Sequence, residues 1–204
     1  MYFNQSPNSM RLPRVVGRKE LHATKWLRLL EVTYKDLAGV ERAYSAVERT
    51  TRPPCADADA VVVLPLLAAP TGPVAVLVRQ FRPPLDKWII ELPAGLIDAG
   101  ESVATTVERE IKEETGYNVS EIVSIGPVIA SDPGLTSSNC RFVVARVTSD
   151  GPPSQALEPT EMIQVLQAPL ATLLETLHDR EATYGDAIDS RLYSFALGQQ
   201  LRLF

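Results

Sequence analysis

The sequence predicts an α/β (α+β) sandwich. Three observations lead there. Short apolar runs rich in β-branched residues are bounded by Pro and Gly. A stretch free of both breakers lies between two such runs and has helical spacing. Two further helical stretches close the chain. At 204 residues the chain can bury one sizeable core with a small appendage. Strands with helices inserted between them pack in layers around such a core.

Each element has its own signal. Residues 1–20 read as a flexible N-terminal arm. Arg11, Arg14, Arg18 and Lys19 precede the first acidic residue, Glu20, and no apolar signal-peptide core is present. Two runs rich in β-formers follow, at 26–34 and 42–49, joined by Lys35-Asp36-Leu37-Ala38-Gly39. They define a small N-terminal β-unit over 21–55, with Arg52-Pro53-Pro54 as its linker. An isolated hairpin is marginal in water, so this unit must pack on something, a second subunit being one candidate.

The main domain spans 56–204. Residues 60–78 could be mistaken for a membrane span, but Pro65, Pro70 and Pro73 interrupt them. Two buried strands, 60–67 and 74–81, joined by the turn Pro70-Thr71-Gly72-Pro73, explain the run better. Further strands are expected at 87–91, 122–130, 140–147 and 162–167. Gly151-Pro152-Pro153-Ser154 opens a loop. Helices are expected at 101–115, 170–180 and 186–201.

Composition narrows the function. Hydrophobic residues make up 45% and charged residues 22%, as in an ordinary globular protein. A net charge of −5 argues against general nucleic-acid affinity. Cys55 and Cys140 are too few for a disulfide framework, which fits a reducing, cytoplasmic setting. His22 and His178 are too far apart in sequence to imply a site.

Residues 95–117 are the most informative. They place Gly95, Glu101, Arg109, Glu110, Glu113, Glu114 and Gly116 in the pattern G-x5-E-x7-R-E-U-x-E-E-x-G-U, where U is bulky and apolar. Seven such positions match by chance about once in 10⁸ starts. Tyr117 at the last U departs mildly from an aliphatic residue. Asp98 to Gly100 form the preceding turn, and Gly116 stands where a C-cap glycine belongs. At about 100° per residue, Val103, Val107 and Ile111 form an apolar arc. Glu110 and Glu114 overlap its edge, with Glu113 beside them, whereas Thr105, Glu108 and Lys112 face away. Like charges one turn apart repel, and partial burial adds a desolvation cost. A divalent cation would offset both, since magnesium takes carboxylate oxygens and fills its shell with water and phosphate. Arg109 can bind two carboxylates at once and would fix Glu113 or Glu101.

This pattern is the Nudix box, and the chain resembles hydrolases of nucleoside diphosphates linked to another moiety. The resemblance implies the α/β/α sandwich of that superfamily. Pro133, sixteen residues beyond Tyr117, resembles the mark of the ADP-ribose pyrophosphatase branch. Lys25-Trp26, the run 47–52, Arg79-Gln80-Phe81-Arg82-Pro83-Pro84, the run 91–98 and the run 191–197 are similar to the eukaryotic ADP-sugar pyrophosphatases.

That resemblance implies a set of roles. Magnesium, two or three ions with manganese able to substitute, would be held by Glu110, Glu114 and the Ala94 carbonyl, with Glu161 nearby. The water-activating base would be Glu161, with Glu158 and Glu113 as rivals. Trp26 and Tyr44 would stack on adenine from two subunits of a homodimer with exchanged β-units; the family usually has Trp at the second position. Arg49 and Arg82 would contact the diphosphate and adjacent groups, and a guanidinium fork suits that role. Ser45, Leu96 and Asp132 match other substrate-contact positions, and Glu91 matches a strand acid near the metals. The implied activity is hydrolysis of ADP-ribose to AMP and ribose 5-phosphate. An ADP-ribose sensor without catalysis is the alternative from another class; such sensors have damaged box glutamates, and Arg109-Glu110-Ile111-Lys112-Glu113-Glu114 is intact. Oxidised nucleoside diphosphates are alternative substrates. Neither nucleic acid nor membrane is an expected partner.

Overall fold

The computed structural model of the chain describes residues 12–201. These form two compact units, one of residues 12–52 and 130–139, the other of 53–129 and 140–201.

In the first unit, β1 (Arg14–Ala23), β2 (Leu27–Lys35) and β3 (Glu41–Arg49) make an antiparallel sheet in that order. Residues 14–20 thus belong to a strand, not to a flexible arm; residues 1–11 of the expected arm lie outside the described residues. The reason β1 escapes a sequence reading is physical. It is exposed along nearly its whole length, so no apolar alternation marks it. Backbone pairing to β2 holds it, through two register shifts. The β2–β3 turn is built by Asp36, whose Oδ1 accepts from the N–H groups of Ala38 and Val40, both at 2.9 Å. Gly39 follows with φ 82°. Segment 130–139 joins this unit from far along the chain: the Val47 N–H donates to the Leu135 carbonyl at 2.9 Å, and Val47 bridges Thr136. The expected boundary at 21–55 omitted it, because no local pattern announces a contact some ninety residues away.

The second unit holds an eight-stranded mixed sheet. Its strands are β4 (Ala60–Leu67), β5 (Val74–Arg82), β6 (Lys87–Glu91), β7 (Ala94–Leu96), β8 (Asn118–Ala130), β9 (Asn139–Thr148), β10 (Ile163–Pro169) and β11 (Ala187–Ile188). The main path runs β11-β6-β5-β4-β9-β8, with β10 beside β5 and β7 beside β4. Helix α1 (Val103–Thr115) covers one face; α2 (Leu173–Tyr184) and α3 (Ser190–Leu201) cover the other. Alternation in β4 explains both contacts. Val61 and Val63 pack with Val107 and Ile111 of α1. Val62 and Leu64 pack with Leu177 and Leu192. The α/β/α sandwich therefore follows from strands buried on both faces. One expected helix, 186–201, is shorter than its pattern suggested: Ala187 and Ile188 pair in parallel with Ile89 and Ile90 of β6. Among the described residues, no helix is long and apolar enough to cross a membrane.

Candidate active site

Helix α1 begins at an N-cap, Ser102, whose side chain accepts from the Thr105 N–H, and ends at Gly116 with φ 75°. Its exposed residues are Thr105, Glu108 and Lys112, and Glu110 and Glu114 are buried, at 7% and 3% exposure. The final apolar position holds Tyr117, buried, whose hydroxyl accepts from Gln167 Nε2 at 2.6 Å. That bond lets a phenol replace an aliphatic side chain without an orphaned polar atom.

Arg109 organises the acids around it. Its Nε and Nη2 bind the two Glu101 oxygens at 2.8 and 2.9 Å, and Nη2 also donates to the Leu96 carbonyl at 2.9 Å. Nη1 reaches Glu110 Oε1 at 2.6 Å and Glu113 Oε2 at 3.2 Å. The fork holds the Glu101 carboxyl down to about 2. Of the two partners expected for Arg109, Glu101 has the bidentate bond and Glu113 the longer single one. The bond to Glu110 has no counterpart in the sequence reading.

Glu110 and Glu114 stand apart from the other acids. Burial pushes Glu110 up to about 7, against the opposing pull of Arg109 and with help from Glu113 and Glu161. Burial and the neighbouring Glu110 push Glu114 up to about 8, although the Ala94 N–H, donating at 3.1 Å, opposes the shift. Glu161 raises both, which places its carboxylate within their field. It lies in the loop that follows Gly151, where its Oε2 accepts from the Glu158 N–H at 2.9 Å. That loop is tied to the helix end: Ala156 N–H donates to the Glu113 carbonyl at 2.9 Å, and Gln155 Nε2 to the Glu114 carbonyl at 2.6 Å. Glu158 itself is exposed.

Gly95 makes this arrangement possible. A Cβ built there would stand 1.8 Å from both Cδ and Oε1 of Glu110. The carboxylate of Glu110 occupies the space that any side chain at position 95 would need. At the ends of β5 and β6, Arg82 binds Glu91 Oε2 through Nε at 2.9 Å and Nη2 at 2.7 Å. Burial raises the Glu91 carboxyl despite that partner.

These residues fit a divalent cation. Two buried carboxylates lie together beside the Ala94 backbone, and no cation among the described residues is ion-paired with Glu114. No group of three Asp, Glu, His or Cys side chains is gathered as a ready ligand shell among the described residues. Magnesium does not need one, because it binds through one or two carboxylates plus water and phosphate.

The remaining expected site residues belong to the first unit. Trp26 and Tyr44 are exposed at 53% and 47%, with Lys25 Nζ 4.3 Å from the Trp26 ring centroid. The Tyr44 hydroxyl donates to the Gly134 carbonyl at 2.6 Å. Ser45 and Arg49 share the opposite face of β3 from Tyr44, and Arg49 Nε donates to Ser138 Oγ at 3.2 Å. Asp132 is exposed and accepts from the N–H groups of Leu135 and Thr136 through its backbone carbonyl.

Comparison with known proteins gives this geometry a family. The NUDIX domain profile matches residues 57–186. The chain belongs to that family. It is 37% identical over 186 residues to the ADP-ribose pyrophosphatase of Saccharomyces cerevisiae, covering 88% of this chain and 79% of the yeast protein. It is 36% identical over 190 residues to the ADP-sugar pyrophosphatase of Mus musculus, covering 90% and 85%. A crystal structure of an ADP compounds hydrolase superposes with a TM-score of 0.69 at 22% identity, covering 96% of this chain and 97% of that one, which supports the fold. The chain is thus a Nudix hydrolase, and Glu101, Glu110 and Glu113 of its box are the acids bonded to Arg109.

Proposed function

We propose that this Nudix hydrolase cleaves the diphosphate of ADP-ribose and other ADP-sugars, releasing AMP and the sugar phosphate. The carrying observation is the buried Glu110–Glu114 pair, at 7% and 3% exposure, with Glu114 bonded to the Ala94 N–H and Glu110 filling the space beside Gly95. A site that penalises its own charges in this way is suited to a metal-bound polyanion. The names of the yeast and mouse relatives point to the ADP-sugar class.

Glu110, Glu114 and the Ala94 carbonyl would hold magnesium, two or three ions per site, with manganese able to substitute. Bound magnesium would neutralise the diphosphate and acidify a coordinated water. Glu161, in the field of both ligands, takes the proton from the attacking water. The water oxygen bonds to phosphorus as the bridging P–O bond breaks, giving AMP and ribose 5-phosphate. Glu113 is tied to Arg109 at 3.2 Å, and exposed Glu158 serves Glu161 through its backbone N–H. Arg82, aligned by Glu91, meets phosphate oxygens. Arg109 positions Glu110 and does not touch substrate. Leu96, whose carbonyl anchors Arg109, borders the site. Trp26 and Tyr44 would sandwich adenine across a homodimer with exchanged β-units, and Ser45, Arg49 and Asp132 would make further substrate contacts. Their exposure leaves the two rings accessible for stacking. Free Cys55 and Cys140 suit the cytoplasm.

The test is AMP release from ADP-ribose with and without magnesium. Turnover must require the metal and fall at least a hundredfold in Glu114→Gln. Binding of ADP-ribose without turnover at any divalent-ion concentration would leave the chain a sensor and sink the proposal. A panel adding ADP-glucose, NADH and oxidised guanosine diphosphates measures breadth.

A further inference from the structure

Gln80 lies on β5 and is buried, at 8% exposure, yet its Oε1 has no hydrogen-bond partner among the described residues. Native proteins rarely leave a buried amide oxygen unpaired, because the lost hydration is not replaced. Strand parity tells where this amide points. Val76, Val78, Gln80 and Arg82 share one face of β5. Across β6, Glu91 stands opposite Val78; across β10, Ile163 stands opposite Gln80. Val76 packs in the core beneath α1, and Arg82 grips Glu91. Gln80 therefore lies on the α1 side of the sheet, between an apolar floor and the Arg82–Glu91 pair. The Glu114 end of α1 is close, since Gln155 Nε2 donates to the carbonyls of both Glu114, at 2.6 Å, and Ile163, at 3.4 Å.

We propose that Gln80 is a substrate-binding residue whose amide oxygen accepts a hydrogen bond from a hydroxyl of a sugar flanking the diphosphate. The inference rests on the reaction proposed above. Its chemistry follows from the orphaned atom. Oε1 is an acceptor, so its partner must donate. An ionised diphosphate offers only acceptors. The sugar hydroxyls next to the diphosphate are the donors that an ADP-sugar brings to this spot. A buried group that waits unpaired for one hydroxyl also discriminates against ligands lacking it. Free energy lost in the empty protein is thereby recovered on binding.

The experiment uses Gln80→Met, which keeps the length and removes both polar atoms. Steady-state kinetics are measured on ADP-ribose, on the methyl ester of ADP, which lacks the terminal sugar, and on the 2′,3′-dideoxyadenosine counterpart of ADP-ribose. The variant loses about fivefold in kcat/KM on ADP-ribose, and the loss vanishes on whichever analogue lacks the contacted hydroxyl. The ligand-free variant melts about 2–4 °C above wild type, because an unpaired buried group has been removed. An equal loss on all three compounds, no loss on any, or a lowered melting temperature overturns the assignment. Wild-type protein inert toward ADP-ribose would instead overturn the proposed reaction, so the two failures are distinct.

Discussion

Gly95→Ala isolates the packing that seats Glu110. The new methyl carbon would lie 1.8 Å from Glu110 Cδ and Oε1, whereas non-bonded heavy atoms settle at about 3.5 Å. Something must yield by about 1.7 Å. Position 95 is on β7, paired to β4 through Val61, so the backbone is braced. The carboxylate is the movable partner, at the end of a flexible side chain. It would swing off its bond with Arg109 while the helix stays in place. A displacement of about 1 Å in a catalytic group can cost roughly a hundredfold, equivalent to about 2.7 kcal/mol of transition-state stabilisation. The assay is kcat/KM for ADP-ribose across a magnesium titration, with a thermal melt as control. We expect about a hundredfold loss and a melting temperature within about 4 °C of wild type. In a Glu110→Ala background the same glycine change should add almost nothing, since the colliding group is gone. Wild-type kinetics in Gly95→Ala, or an undiminished effect in the double variant, would refute the reasoning.

Two other predictions test the supports of the site. Arg109→Lys cannot reproduce the paired bonds to Glu101 at 2.8 and 2.9 Å; kcat should fall about tenfold or more with KM little changed, as read from saturation curves, because the Arg109 guanidinium is committed to Glu101, Glu110, Glu113 and the Leu96 carbonyl. Asp186 is buried between Arg79 and Arg180, which donate to its two oxygens at 2.7 and 2.6 Å. Asp186→Ala strands both guanidiniums and should lower stability by about 3 kcal/mol, measured by urea denaturation at pH 7. Its pH dependence has a definite sign. Burial acts to raise the Asp186 carboxyl, but hydrogen bonds from Arg79 and Arg180 outweigh it and hold the group below its ordinary 3.8. A carboxyl depressed in the folded state stabilises fully above the unfolded value and loses that contribution as pH falls through the folded one. The gap between wild type and variant should be flat near neutrality and narrow below about pH 4; a gap that widens in acid would contradict the ion-pair reading.

Much of the second unit was legible because its patterns are local. Proline and glycine bracket β4 and β5, and α1 shows its apolar arc and capping glycine within one continuous stretch. Strand β1 was not legible, since an exposed strand held by backbone bonds writes no periodicity into its side chains. Ala187 and Ile188 read as helix because two apolar residues before a helical run look like its first turn. Their pairing with β6 is a tertiary choice. The site shows the same division. Arg109 was expected to hold an acid, yet its bond to Glu110 depends on side-chain directions within one turn. Gly95 was visible as a motif position, but the carboxylate that fills its missing Cβ was not.

By itself the sequence determined the sandwich class, the box helix, and the presence of two acids at the edge of its apolar face. Those features depend on residue spacing along one chain segment, where periodicity is a direct record of burial. The tertiary structure decided which acid Arg109 clasps most tightly, how far burial raises Glu110 and Glu114, and that the face of β5 carrying Gln80 lies beneath α1. Such properties depend on distance and dielectric between segments far apart in sequence, and side-chain identity alone does not encode either.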